Sequence, residues 1–492
     1  MLRAFIAGTV VMLAAAMVQA ATPGTAIVTQ DRVALRAAPR DSAKQQAQLW
    51  QGEMVEVRGE RLDYLQVYDY GRERGGFVRA NQVRRLRLAA EDAPELLAII
   101  RFMRDTAGAE ALGIGLIAAY IQAAPAEVIN SEAGSEALDA LGTMADRLAR
   151  RATGGVNPNK SAEAALSAHL DVAARYGVKF TNYERDGRMR ICYEGDAFRR
   201  VLAMRSTPGQ RARAVLALTR GECVDPNLRV TERFQVDEWR AEVLDRVDAA
   251  ALPGYLKNRV LMRRASVWAG LAYQRARKSE AADAAANRAL TELASVSKTE
   301  LTDDDAPTYI DAAMRVSASR WAAVPVSAAA NVRGAGIVTA PGQPGETCIA
   351  LVDARHDVKS PLAKRCTYGI VWASSATLNR EGNALALAVQ QTETWRELWV
   401  FRKGVDGWTI SVLPPATTNP DVGYAEFAGW VPGGKEMLVA REATGDGKYK
   451  RNFELLRVDT LVPARQASDP AMLNAFQRWQ DPSWKRQTLS LR

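Results

Sequence analysis

Apolar and polar residues alternate with a period of two from residue 26 to 88. The period shifts to about 3.6 from Glu91 to about Val324, and short alternating runs return beyond Arg333. In the first stretch Val33 and Leu35 alternate with Ala34 and Arg36. Met54, Val55 and Val57 form a second run, Leu65 and Val67 a third, and Gly52, Gly59 and Gly75-Gly76 punctuate them. That pattern predicts a small antiparallel barrel. In the middle stretch Pro94 follows Asp92, a good helix cap, and Leu96, Ile99, Ile100 and Met103 share one face. Leu138, Leu141, Ala145 and Leu148 repeat the spacing, as do Val236, Trp239, Val243 and Val247. Nine or ten helices packed as antiparallel hairpins are expected. Ala111 to Ile121 carries no charge, but it is about half a bilayer span and predicts a buried central helix, with Gly113 and Gly115 admitting a close neighbour. Within this region "VKFTNYERDGRMRICY", residues 178–193, alternates on both sides of Asp186-Gly187 and predicts a β-hairpin.

The last third opens on a glycine- and proline-rich boundary, "RGAGIVTAPGQPGE", residues 333–346. Two segments then repeat. "LNREGNALALA" at 378–388 aligns without gaps on "WVPGGKEMLVA" at 430–440, and "ELWVF" at 397–401 parallels "ELLRV" at 454–458. A third, weaker unit spans Gly345 to Trp372. From Pro470 the chain reads as a helix with a basic end. The division expected is a leader at 1–20, a barrel at 24–88, a helical domain at 91–325 with the hairpin at 178–193, a blade-like antiparallel β domain at 333–465 and a tail at 466–492.

"RVALRAAP", with Leu35, Arg36 and Pro39, and "LWQGEMVEVRGE", with Leu49, Gly52, Val55 and Val57, occur in order with "DYLQV" and "GGFVRANQV". Over about sixty residues these resemble bacterial SH3 domains, Gly76-Phe77-Val78 standing where the family often has Gly-Trp-Val. Tyr64 and Phe77 replace tryptophans common there. The resemblance implies an SH3-like β-barrel that binds peptides, in some members those of peptidoglycan, or that serves as a protein-interaction module. The turn–strand–loop–strand layout around Pro432-Gly433-Gly434-Lys435 is similar to blades of bacterial propeller repeats, although Arg380-Glu381-Gly382-Asn383 departs from their Pro-Asp-Gly-Lys turn. Closed propellers usually need four or more blades, so blade-like sheets are expected and a ring is left open. The fold class is multidomain α+β.

The first twenty residues fit a secretory signal peptide: Arg3, an apolar run from Phe5 to Met17, and Val18-Gln19-Ala20 at the cleavage point. An uncleaved anchor is the alternative; otherwise no transmembrane segment is expected. The net charge of +9 falls to +8 without Arg3 and is spread along the chain. A nucleic-acid protein would gather it on one face, so either solubility or mild attraction to anionic envelope polymers accounts for it. An exported chain with four cysteines predicts disulfides. Cys192–Cys223 and Cys348–Cys366 are the economical pairs, because joining Cys223 to Cys348 would cross a domain boundary. No C-x-x-C spacing favours zinc.

Period two places Tyr64, Tyr68 and Tyr70 opposite Leu65 and Val67, on one outward stripe. With Trp50 and Phe77 they form the candidate ligand-binding set. No catalytic residue, metal site or cofactor is assigned. His169 reads as a core or rim histidine and His356, near Asp353 and Asp357, as a loop residue. There is no G-x-S-x-G, H-E-x-x-H or phosphate-cradling loop. The acids of "LTDDDAPTYID" and "ATGDGKYK" read as capping and turn residues rather than calcium loops. The expected function is an exported, non-enzymatic envelope protein that binds cell-wall peptide or a protein partner, not nucleic acid. The alternatives are a cell-wall hydrolase targeted by the barrel, or a regulatory subunit of an envelope complex.

Overall fold

The structure, a computed structural model, describes residues 24–154, 159–185, 187–325, 334–417, 421–445 and 448–485. The expected leader lies outside them. The chain is mixed α and β, with an antiparallel sheet first, helices in the middle and an antiparallel sheet last. It divides into two compact units at Ser206/Thr207, inside the expected helical stretch.

The first unit begins with β1 (Gly24–Val28), β2 (Val33–Arg36), β3 (Gln45–Leu49), β4 (Met54–Arg61), β5 (Tyr64–Asp69), β6 (Arg74–Arg79) and β7 (Val83–Leu86), paired in the order β3-β2-β6-β5-β4-β1-β7. The alternation read from the sequence sets its interior: Val33, Leu35, Val55, Val57, Leu65 and Val67 all enter one apolar cluster. Closure is not seen. β3 and β7 end the sheet and do not pair with each other.

Behind the sheet come α1 (Ala93–Arg104), α2 (Glu110–Ala123), α3 (Ala126–Ile129), α4 (Glu132–Thr153), α5 (Lys160–Arg175), a hairpin of β8 (Phe180–Arg185) and β9 (Arg188–Tyr193), and α6 (Asp196–Ala203). Pro94 lies in the first turn of α1, but the Asp92 side chain makes no capping bond. The apolar α2 is the central helix of this unit, largely buried against α1 and α4. Its glycines explain how. A Cβ on Gly113 would lie 2.2 Å from Met144 Sδ, and one on Gly115 2.7 Å from the Gly52 carbonyl oxygen. Gly52 itself has φ +90°, and a Cβ there would meet the Ala111 carbonyl oxygen at 2.3 Å. Sheet and helix therefore meet backbone to backbone, and the Tyr176 hydroxyl donates to the Gly52 carbonyl at 2.6 Å. Glu110, fully buried at the start of α2, accepts from Arg147 Nε at 2.6 Å and from Arg151.

The second unit holds α7 (Pro208–Leu218), α8 (Val230–Asp245), α9 (Gly254–Arg277), α10 (Asp283–Ala294) and α11 (Ala306–Ser319). With the first unit this makes eleven α-helices among the described residues before residue 320, where nine or ten were expected. The face expected on α8 is partly wrong. Trp239 is 40 % exposed, whereas Asp237, Arg240, Ala241 and Leu244 turn inward. The reason is an ionic contact: Asp237 accepts from Arg240 Nη1 at 2.6 Å, Arg233 Nε at 2.9 Å and Gln274 Nε2 at 2.7 Å.

Three small strands follow, β10 (Gly336–Pro341), β11 (Thr347–Val352) and β12 (Ala363–Thr367), forming one sheet. Next come two four-stranded meanders: β13 (Ile370–Leu378), β14 (Ala384–Thr392), β15 (Trp395–Gly404) and β16 (Gly407–Leu413), then β17 (Val422–Trp430), β18 (Glu436–Gly445), β19 (Lys448–Arg457) and β20 (Pro463–Ala467). A short parallel pairing of β15 with β17 joins them into one eight-stranded sheet, so the described strands form no propeller ring. The repeat is real in β13–β14 and β17–β18, whose strands begin fifty-two residues apart. Further on it is misaligned. Leu387 pairs with Trp399, and its counterpart Val439 pairs with Glu454. Trp399, not Glu397, is thus the equivalent of Glu454, a slip of two that leaves every side chain on its own face. The tail folds as α12 (Asn474–Trp479), with Phe476 packed on Phe453.

Two outcomes are expected. Gly52→Ala should lower the unfolding free energy by roughly 3 kcal/mol, combining a left-handed backbone with a backbone clash; a loss below about 0.5 kcal/mol in urea titration would contradict the close approach. Burial alone would raise the Glu110 carboxyl, but Arg147, the backbone N–H groups and Arg151 together hold it below its usual range. Its stabilisation is therefore present above the ordinary carboxylate value of about 4.3 and lost as pH falls below it. Glu110→Gln should cost roughly 3 kcal/mol at pH 7, the low end for a buried pair because both arginines reach water, and the difference from wild type should shrink in acid. A cost that does not change between pH 7 and pH 3 would contradict this.

Candidate functional site

The candidate ligand set divides in two. Tyr68 on β5 faces Gly75 across the ladder, which leaves its ring room. It meets Tyr70 edge to face, with ring centres 5.0 Å apart. The Arg58 guanidinium lies 4.0 Å above the Tyr68 ring centre and donates to Glu56 Oε2 at 2.9 Å. The Tyr70 hydroxyl donates to the same oxygen at 2.8 Å, and these two bonds hold the Glu56 carboxyl below its usual range. Tyr70 is 67 % exposed. Glu56, Arg58, Tyr68 and Tyr70 thus form a preorganised surface of two rings and two charges, of the kind recognition surfaces use.

Tyr64 is not on that surface. It is 2 % exposed, and its hydroxyl donates to Asp41 Oδ1 at 2.6 Å beneath Arg79. The segment joining β2 to β3 brings Asp41 over the outward face of the strand, so the face that period two sends outward is covered at this end. Arg79 and the Tyr64 hydroxyl lower the Asp41 carboxyl to about 2. Trp50 and Phe77 are half-buried. Among the described residues no ring contact joins either to the tyrosine pair. Phe77 pairs with Arg36 and Gln66 in the sheet, and the backbone N–H of Trp50 donates to Glu53 Oε2 at 3.1 Å.

Cys348 and Cys366 stand opposite each other on β11 and β12 and form a disulfide. Glu346 lies near both sulfurs, but two sulfurs bonded to each other are not a thiolate pair for a metal. Cys192 and Cys223 are likewise oxidised, as the expected pairing requires, and no cysteine is free. His169 is buried, with Nε2 2.7 Å from Asp31 Oδ1. It joins the β1–β2 turn to α5. His356 Nδ1 lies 2.8 Å from Asp353 Oδ1, which also accepts the backbone N–H groups of Arg355 and His356. Each histidine thus has a carboxylate partner. In the acidic loop, Asp305 accepts from Thr302 Oγ1 at 2.9 Å and Arg259 Nε at 2.8 Å.

Sequence reasoning missed one feature. A cleft of about 1020 Å³ opens where the ends of the two meanders meet, lined by Arg402, Lys403, Lys435 and Arg457 with Glu436 and Asp459. The repeated turns build it. Glu381 accepts the Gly433 N–H at 2.8 Å, joining residues that occupy equivalent positions in the two repeats. Arg402 donates to Ser411 Oγ at 3.2 Å and to the Asp459 carbonyl. The repeat itself was the available signal, because equivalent turns at the ends of adjacent meanders leave a groove between them. Its excess of cations suits an anionic ligand. No helix among the described residues is long and apolar enough to cross a membrane.

No family model, curated protein or solved structure matches this chain.

Proposed function

We propose that this chain is a non-catalytic binding protein of the cell envelope. Its N-terminal sheet acts as a bacterial SH3-type module that holds a cell-wall peptide or an envelope protein, and the helical and β regions form the body that carries it. The observation behind this reading is the pair of half-buried Tyr68 and exposed Tyr70, held by Arg58 and Glu56. Tyrosines offer rigid, half-polar contact area at low entropic cost. Arg58 suits a ligand carboxylate, Glu56 an ammonium group, and the rings cover the peptide between them. An oxidising compartment fits four disulfide-bonded cysteines.

The hydrolase alternative calls for a deep pocket in the helical region lined by two carboxylates. The cavity beside α5, about 390 Å³, has Asp31 as its one acid, already engaged by His169.

The full chain should co-sediment with purified sacculi at low salt. A Tyr68→Ala/Tyr70→Ala variant should bind about tenfold more weakly, a loss of ~1.4 kcal/mol, with an unchanged melting temperature. Full retention of binding by the variant would contradict the assigned surface. Wild type left wholly in the supernatant would remove the wall-peptide reading, and clearing of a cell-wall zymogram would overturn the non-catalytic one.

A further inference from the structure

The cleft between the two meanders is built from the same positions of each repeat. Asn383 and Lys435 stand at equivalent places in the turns before β14 and β18. The alignment of Trp399 with Glu454 makes Arg402 the counterpart of Arg457, and Lys403 that of Val458. The backbone repeats with them: the Lys403 N–H donates to the Asn383 carbonyl at 2.8 Å, and the Val458 N–H to the Lys435 carbonyl at 2.9 Å. Each meander thus delivers one arginine and one lysine to the same groove.

Charge along the groove is uneven. Both carboxylates of the lining, Glu436 and Asp459, come from the second meander, beside Lys435 and Arg457. Glu436 stands opposite Arg457 across the β18–β19 ladder, and Asp459 Oδ1 accepts the Thr460 N–H at 2.8 Å. That side is balanced. The first meander contributes Arg402 and Lys403 and no carboxylate, so its side keeps two positive charges that no ion pair among the described residues offsets. Arg402 is fixed in place: Nη1 donates to the Asp459 carbonyl and Nη2 to Ser411 Oγ at 3.2 Å, while its Nε is buried with no partner among the described residues. A carboxylate would bring one charge to this pair. A phosphate monoester brings up to two, with three acceptor oxygens to share between guanidinium and ammonium. The cleft volume of about 1020 Å³ is far larger than an inorganic anion and suits an organic molecule. We propose that this cleft is a second binding site, separate from the tyrosine surface, for a small phosphorylated sugar or polyol. Its phosphate is held at Arg402 and Lys403, and its neutral part lies along the balanced side, against Lys435, Glu436 and Val458.

The test is titration calorimetry of the full chain at about 0.15 M salt, where distant exposed charges are largely screened. The probes are glucose 6-phosphate, its carboxylate analogue glucuronate, glucose and inorganic phosphate. Glucose 6-phosphate should bind saturably, glucuronate and inorganic phosphate at least tenfold more weakly, and glucose not measurably. Lys403 is exposed, so Lys403→Ala should keep the melting temperature and weaken binding about tenfold. Lys448→Ala removes the same charge from the opposite end of β19 and should leave binding within twofold. The Tyr68→Ala/Tyr70→Ala variant should bind glucose 6-phosphate as wild type does, which keeps this site distinct from the wall-peptide reading. No saturable binding of glucose 6-phosphate, equal binding of glucuronate or inorganic phosphate, or equal losses in Lys403→Ala and Lys448→Ala would overturn the assignment.

Discussion

Four buried carboxylates, each held by two arginines, tie the elements of this molecule together. Glu53 beside the N-terminal sheet is held by Arg72 at 2.9 Å and by Arg175 of α5 at 3.0 Å. Glu110 of α2 is held by Arg147 and Arg151 of α4, Asp237 of α8 by Arg233 and Arg240, and Glu426 of β17 by Arg320 and Arg396. A buried ion pair adds little net stability over a well-packed apolar contact, but breaking one by removing a partner costs several kcal/mol. These clusters therefore act mainly as registers: Glu53 and Glu426 tie a helix or its end to a sheet, Glu110 ties α2 to α4, and Asp237 ties α8 to α9 through Gln274. Arginine suits the task because its planar fork bonds a carboxylate with two nitrogens and stays charged when buried.

The same ratio bears on net charge. The Glu426 cluster takes two buried cations for one anion, so part of the excess of +9 lies inside the fold. Neither general solubility nor attraction to envelope polymers is needed for that part. Cations also line the cleft between the meanders, and Arg58 stands beside the tyrosine pair.

The apolar pattern was the most legible part of the sequence. Period two put Leu65 and Val67 inside the first sheet, and the uncharged run at 111–121 became the central helix with Gly113 and Gly115 at close contacts. The directly opposed cysteines of β11 and β12 were legible too. Failures came where a polar group overrode the pattern. Asp41 covers Tyr64, and no local periodicity reports a loop folding back from twenty-three residues away. Asp237 and Arg240 turn inward on α8 because each satisfies the other, so the rule that charges face water misassigned Trp239 to the core. Within the candidate site, Tyr68 and Tyr70 came together as a stripe should, while Arg58 and Glu56 could not be singled out without the β4–β5 register that brings them beside it.

The proposed function places the gripping surface on β4 to β6 and leaves the rest as a body held by buried ion clusters. Hydrogen exchange of the full chain, followed by mass spectrometry with and without soluble cell-wall peptide, tests that separation most directly. The account predicts added protection concentrated in residues 54–79. Protection absent there and confined to the cleft around residues 402–459, or to the helices, would contradict it.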